Sequence, residues 1–134
     1  MTKEQLRQYQ NIKKEKEQIE ELIGELEAAM TSPKGQNFDG MPFSHSVGES
    51  TVEILAVKHL ELLTLYKTKV KELDEALLAV ETAIEILDPL ERSLMRLRYI
   101  KGLTWEKVAV ALNYSWQQTH RIHKTALDKL REVE

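Results

Sequence analysis

Apolar residues recur at intervals of three and four along the first part of the chain. In residues 2–30 the series, with one polar member, is Tyr9, Ile12, Lys16, Ile19, Ile23, Leu26 and Met30. This spacing places side chains on one face of an α-helix. Thr2 and Gln5 stand three residues apart, as in a capping box. The pattern predicts a helix from Thr2 to about Met30.

A second apolar series follows and is longer. Its members are Val52, Ala56, His59, Leu63, Tyr66, Val70, Leu73, Leu77, Val80, Ile84 and Leu87. Ser50 and Glu53 provide a capping box at its start, and Asp88-Pro89 follows its end. Residues 31–49 hold three Gly and two Pro, which predicts a long loop between the helices. Two such helices cannot bury their apolar faces alone, so we expect a coiled-coil-like antiparallel hairpin that forms a homo-oligomer, with a dimer favoured.

Residues 88–134 show shorter helical segments separated by capping signals. Asp88-Pro89 starts a helix that places Leu90, Leu94, Leu97 and Ile100 on one face, and Gly102 ends it. Thr104 caps a short helix with Val108, Ala109 and Leu112 inward. Asn113 occupies a left-handed turn position, and Ser115 with Gln118 caps a last helix with Thr119, Ile122 and Ala126 inward. The arrangement is that of a helix-turn-helix.

Composition and charge agree with this division. Hydrophobic residues make up 42% of the chain and charged residues 31%, with only 5 Gly and 3 Pro, which favours an all-α fold. Residues 1–87 carry 10 Lys and Arg against 16 Asp and Glu, a net charge of −6. Residues 88–134 carry 9 against 6, a net charge of +3. We therefore predict a helical hairpin in residues 1–87, for oligomerisation or partner binding, and a DNA-binding domain in residues 88–134.

The outward face of the last helix carries the candidate DNA contacts. Its first turns hold side chains that hydrogen-bond or stack, and those predicted to contact bases are Trp116, Gln117, Gln118, His120 and Arg121. The side chains predicted to contact phosphates are Arg98, Lys101, Lys107 and Lys124. These residue types suit double-stranded DNA, because Gln pairs with adenine, Arg pairs with guanine, and cations neutralise phosphates.

The segment "LDPLERSLMRLRYIKGLTWEKVAVALNYSWQQTHRIHKTALDKLRE", residues 87–132, resembles region 4 of bacterial sigma factors. The matching positions are Leu97 to Tyr99, Gly102 to Glu106, Val108, Ala109, Leu112, Ser115, Ala126, Leu130 and Arg131. The segment departs from the family at Thr119 and Thr125, where Val and a basic residue are usual. The whole chain, with its "DGMP" motif at residues 39–42, is similar to the ArpU and RinA late-gene regulators of Gram-positive phages and prophages. The resemblances imply a transcriptional regulator that contacts RNA polymerase.

Other classes of protein find less support in the sequence. No Cys is present, and no phosphate-cradling glycine loop or nucleophile motif occurs, so we expect neither an enzyme nor a cofactor. His120 and His123 have no further ligand nearby, so no metal site is predicted. The polar start and the lack of a long apolar run predict a cytoplasmic protein with no membrane segment. The rival functions are an adaptor that binds RNA polymerase without reading DNA and a DNA-packaging subunit like the small terminases.

Overall fold

The computed structural model describes residues 1–31 and 51–133, and these residues are helical throughout apart from short turns. The helices are α1 (Lys3–Thr31), α2 (Thr51–Ile84), α3 (Pro89–Met95), α4 (Trp105–Leu112) and α5 (Trp116–Glu132). A π-helical turn, Arg96–Ile100, follows α3 directly. The predicted all-α fold is confirmed. Ser50, the "DGMP" motif and the predicted loop 31–49, apart from Thr31, lie outside the described residues.

The ends of the long helices follow their local signals. The backbone N–H of Thr2 donates to Oε1 of Gln5 over 2.8 Å, which confirms the capping pair at the start of α1. Helix α2 ends at Ile84, three residues before the predicted end at Leu87. The N–H of Leu87 instead closes a turn on the carbonyl of Ile84. Asp88, the residue before Pro89, is extended with ψ of 156°, because Pro disfavours a helical conformation in the residue that precedes it.

Residues 14–71 form one compact unit, in which α1 and α2 run antiparallel. As the residue number rises along α1, the paired number falls along α2. The paired side chains are Glu15 with Lys69, Glu20 with Tyr66, and Glu27 with His59. The predicted hairpin therefore forms in this unit, while oligomerisation of the hairpin stays a prediction.

The apolar face of α2 differs from the prediction at its first turn. Val52 is 70% exposed, and Leu55 is buried in its place, with 4% exposure. Met30, the last member of the predicted series in α1, is 39% exposed. Between these ends Ile19, Ile23 and Leu26 of α1 are buried as predicted. The predicted burial is therefore wrong at the helix termini. There a single apolar residue in the last turn does not show which face of the helix is buried.

The second compact unit comprises residues 1–13 and 72–134. The two long helices each contribute to its core, alongside the C-terminal helices. The buried apolar residues that form its core cluster are Leu6, Tyr9, Val80, Ile84, Leu87, Leu94, Met95, Tyr99, Val108, Ala126 and Leu130. This division differs from the predicted boundary between residues 87 and 88, because the ends of α1 and α2 complete the core of the C-terminal helices. The separate functions assigned to residues 1–87 and 88–134 stay predictions.

The segment from α3 to Ile100 buries a different face from the one predicted. Leu94 is buried as expected, but Leu90, Leu97 and Ile100 are only half-buried. Met95 and Tyr99 are buried instead. The wider π-helical turn changes the angular spacing of side chains after Met95, so the 3.6-residue pattern does not hold there.

The end of the π-helical turn is held by a side chain from α1. Nε2 of Gln10 donates to the carbonyl oxygens of Tyr99 and Ile100, over 2.7 and 2.8 Å. These carbonyls lie at a helix end, where intrahelical donors are lacking. Gly102 follows with φ of 73°, a left-handed conformation that favours glycine. Among the described residues, no helix has the length and apolar character that crossing a membrane requires.

Candidate nucleic-acid interface

Helices α4 and α5 and the short turn between them form the predicted helix-turn-helix. Thr104 caps α4 by accepting a hydrogen bond from the N–H of Lys107. Asn113 adopts φ of 61° and ψ of 36°, the left-handed conformation expected of it. Ser115 and Gln118 form a reciprocal capping box at the start of α5, with both hydrogen bonds at 3.1 Å. Local capping signals therefore set the start of both helices.

One face of α5 packs into the C-terminal unit. Its buried residues are Thr119, His123, Ala126 and Leu130. Thr119 is fully buried, and its hydroxyl donates to the carbonyl oxygen of Ser115 over 2.8 Å. That bond satisfies a polar group that would otherwise be costly to bury. A threonine therefore fits this buried position, where valine is usual in the family that the segment resembles.

The opposite face of α5 is exposed and carries most of the predicted base contacts. Trp116, Gln117, Gln118 and Arg121 are exposed, and so is Lys124, the predicted phosphate contact one turn further along. In the described part of the chain, no hydrogen bond or ion pair engages the side chains of Gln117, Arg121 or Lys124. These groups can therefore meet a ligand without breaking an internal contact.

The remaining predicted phosphate contacts divide into two kinds. Lys101, after the π-helical turn, and Lys107, in the first turn of α4, are exposed. Arg98 is half-buried, and its Nη1 donates to the carbonyl oxygen of Leu103 over 2.9 Å. Its guanidinium carbon also lies 4.6 Å from the ring centre of Trp105, a cation–π distance. The guanidinium of Arg98 therefore has internal partners, and phosphate contact by Arg98 stays a prediction.

His120 is placed differently from the other predicted base contacts. Its ring centre lies 4.0 Å from that of Trp116 and 4.5 Å from that of Trp105. The residue is half-buried, and its Nε2 is buried with no hydrogen-bond partner. Base contact by His120 stays a prediction, although the ring has the least access to solvent among the five candidates.

His123 is a core residue that the sequence reasoning did not identify. It is 6% exposed, and its Nε2 lies 2.6 Å from the hydroxyl oxygen of Tyr99. Burial is the main cause that lowers the pKa of His123 to about 4, and the positive charges of Lys3 and Arg98 act in the same direction. A signal existed in the sequence, since position 123 continues the spacing of Thr119, Ala126 and Leu130 along one helix face.

An ion pair ties α5 to the start of α3. Nζ of Lys129 lies 2.7 Å from Oε1 of Glu91 and 3.4 Å from Oδ2 of Asp88. The hydrogen bond that Lys129 donates to Glu91 is the main cause that raises the pKa of Lys129. The same Glu91 oxygen accepts the backbone N–H of Asp88 over 3.0 Å, as its capping position predicts. The Glu91 side chain, which is 7% exposed, thus holds the entry of α3 against α5.

His120 and His123 lie three residues apart on α5, a spacing that metal sites can use. Across residues 1–31 and 51–133, no group of three His, Asp or Glu side chains is close enough to hold a metal ion. His120 and His123 each contact the ring of Trp105, at 4.5 Å between centres. Both imidazoles are thus part of an aromatic cluster at the base of the exposed face.

Comparison with known protein families identifies the C-terminal segment. Residues 83–132 match the family model described as Sigma-70, region 4. No curated protein and no solved structure matches the chain. The resemblance inferred for residues 87–132 is thus confirmed as a Sigma-70 region 4 helix-turn-helix, a domain class that binds DNA. The similarity to phage late-gene regulators stays a prediction.

Proposed function

We propose that this protein, whose residues 83–132 form a Sigma-70 region 4 domain, is a transcriptional regulator that reads double-stranded DNA through α5. The first turns of α5 enter the major groove, and Gln117 and Arg121 contact base edges. A helix in the major groove presents its N-terminal residues to the bases in this class of domain.

The observation that carries the proposal is the division of α5 into two faces. Thr119, Ala126 and Leu130 fix one face in the core, while Gln117, Arg121 and Lys124 project from the other. Gln has a donor and an acceptor that match adenine, and Arg has paired donors that match guanine. A face that served only solubility would not require a glutamine and an arginine, Gln117 and Arg121, in the first two turns of the helix.

Cations beside this face supply the affinity that does not depend on sequence. Lys101 is exposed just after the π-helical turn, and Lys107 is exposed in the first turn of α4. Lys124 is exposed on α5. Each lysine that neutralises a phosphate releases a counterion, so affinity falls as salt rises. These contacts place the recognition helix in register with the groove.

The remainder of the chain extends the proposal beyond the region 4 domain. The antiparallel helices of residues 14–71 pair the protein with a second copy, and a dimer suits a DNA site of two half-sites. The "DGMP" motif and the helical layout support assignment to the phage and prophage regulators of late genes. Contact with the host RNA polymerase follows from the kind of domain, since sigma region 4 serves that enzyme.

The test begins with selection of preferred sites from a random DNA pool by the purified chain. Affinities for the preferred site and for unrelated DNA are then measured by fluorescence anisotropy at several salt concentrations. Gln117→Ala and Arg121→Ala should each weaken the preferred complex by about 1–3 kcal/mol and the unrelated complex far less.

Two further variants separate reading from positioning. Lys107→Ala should weaken both complexes alike and lower the salt slope by about one unit, because one fewer phosphate is neutralised. Lys67→Ala, an exposed cation on α2, is the matched control and should change neither affinity. A wild-type chain with no preferred sequence, or Gln117 and Arg121 variants that bind every DNA normally, would refute the proposal.

A further inference from the structure

We propose that His120 is a positioning residue that holds the indole of Trp116 at the leading end of α5, and that it does not itself contact a base. The inference rests on the proposed DNA-binding function of this face. In this proposal Trp116 makes the apolar contact of the recognition helix with DNA. The imidazole of His120 holds Trp116 in position for that contact.

Helical spacing brings these two side chains together. Residues 116 and 120 are four apart in α5, so their side chains are neighbours on the helix surface. Their ring centres are 4.0 Å apart, with an angle of 54° between the planes. The indole therefore rests on an imidazole from its own helix.

The imidazole is supported in turn by a residue of α4. The ring of Trp105 lies 4.5 Å from that of His120, and the guanidinium of Arg98 lies over the same indole. A hydrogen bond to the carbonyl oxygen of Leu103 holds that guanidinium in place. The support under Trp116 thus extends from α5 through α4 to the π-helical turn.

Burial separates the two roles. Trp116 is 55% exposed, whereas His120 lies between two indoles and its Nε2 has no access to solvent. Of the two ring nitrogens of His120, Nε2 is covered and cannot reach a base edge, which leaves Nδ1 as the one ring nitrogen that could read a base. The exposed indole offers a flat apolar surface, which fits the 5-methyl group of thymine in the major groove.

The first experiment needs no DNA. In a Trp105→Phe chain, Trp116 is the sole tryptophan and reports its own surroundings. His120→Ala should raise acrylamide quenching of Trp116, and His120→Phe should restore the low value because a flat ring returns. The near-UV circular dichroism of wild type minus Trp116→Phe gives the same report with Trp105 intact, should Trp105→Phe fail to fold. Unchanged quenching and dichroism in His120→Ala would overturn the proposal.

The second experiment uses the preferred DNA and a double-mutant cycle. His120→Ala should weaken binding, His120→Phe should retain it, and His120→Ala should add nothing in a Trp116→Ala background. Uracil in place of the contacted thymine should weaken wild-type binding about fourfold, the effect of one buried methyl group, and should not affect His120→Ala. Equal losses in His120→Phe and His120→Ala, confined to one base pair, would make His120 a base reader and overturn the proposal. If no DNA binds, the proposed function fails, and the quenching result still decides whether His120 positions Trp116.

Discussion

The hydroxyl oxygen of Tyr99 lies 2.6 Å from Nε2 of His123, and this buried hydrogen bond joins the π-helical turn to the recognition helix. The two rings also stack, with centres 5.7 Å apart and planes at 28°. Burial raises the pKa of the Tyr99 hydroxyl and lowers that of His123. Both shifts keep the pair neutral, which is the state that a buried hydrogen bond favours.

The low pKa of His123 predicts acid sensitivity. The unfolded chain protonates this imidazole near pH 6.5, whereas the folded chain keeps it neutral down to about pH 4. Between these values the unfolded state binds more protons, so the free energy of unfolding falls as the pH drops. We expect a contribution of about 1–3 kcal/mol to be lost from pH 6.5 to pH 4, as measured by urea denaturation. His123→Leu should lose that part of the pH dependence, and an unchanged slope in this variant would contradict the assignment.

The two hydrogen bonds of Gln10 link α1 to the segment before the helix-turn-helix, and we expect their loss to lower the stability of the chain. Gln10→Ala removes the donor to the carbonyls of Tyr99 and Ile100, and we expect it to lower the free energy of unfolding by about 1–3 kcal/mol. Gln8→Ala is the matched control, because Gln8 is exposed on the same helix. Equal urea midpoints for the two variants would show that the carbonyls find other partners.

Glu91 predicts that the entry of α3 depends on one carboxylate. Glu91→Ala removes the acceptor of the Asp88 N–H and the partner of Lys129, and should cost about 1–2 kcal/mol in thermal or urea unfolding. Asp128→Ala removes only an exposed pair with Arg131 and should cost less than about 0.5 kcal/mol. The assignment fails if the exposed pair proves the costlier of the two to lose.

The shared core predicts how a C-terminal fragment behaves. Residues 88–134 alone lack Leu6, Tyr9, Val80 and Ile84, all of which are buried in the unit. Leaving this much apolar surface without a partner removes a large part of the packing that stabilises the helices. We expect the fragment to keep partial helicity but to unfold without a cooperative transition in circular dichroism. A sharp transition with a native near-UV spectrum would show that the C-terminal helices need no help from α1 and α2.

Local signals accounted for most of the helix boundaries. Each of these signals sets a helix boundary within a few residues of its own position. They are the capping pairs Thr2 with Gln5 and Ser115 with Gln118, and the left-handed Asn113. Such short-range preferences are set by backbone geometry and are visible in the sequence. The family resemblance likewise rested on a continuous segment, and the family match lies over the same residues.

The features that were not predicted depend on distant parts of the chain. Gln10 contacts residues about 90 positions away, and no local pattern indicates that its amide ends a helix there. The π-helical turn at Arg96–Ile100 departs from the 3.6-residue period of the α-helix, from which the buried face was predicted. The burial of His123 was within reach of the helical spacing, but a histidine is an unusual core residue until its hydrogen-bond partner is known.

The capping box at the start of α5 also restricts the orientation of one predicted base contact, the side chain of Gln118. Oε1 of Gln118 accepts the N–H of Ser115 over 3.1 Å, which ties the amide of Gln118 to the helix start. While the box is closed, one lone pair of Oε1 is used, so Gln118 keeps its two amino hydrogens and one acceptor lone pair for a base, and it can meet the base only in the orientation that the box sets. Gln117, one residue earlier and outside the box, keeps both halves of its amide. Two adjacent glutamines in this helix therefore differ in how freely their amides can turn toward a base edge.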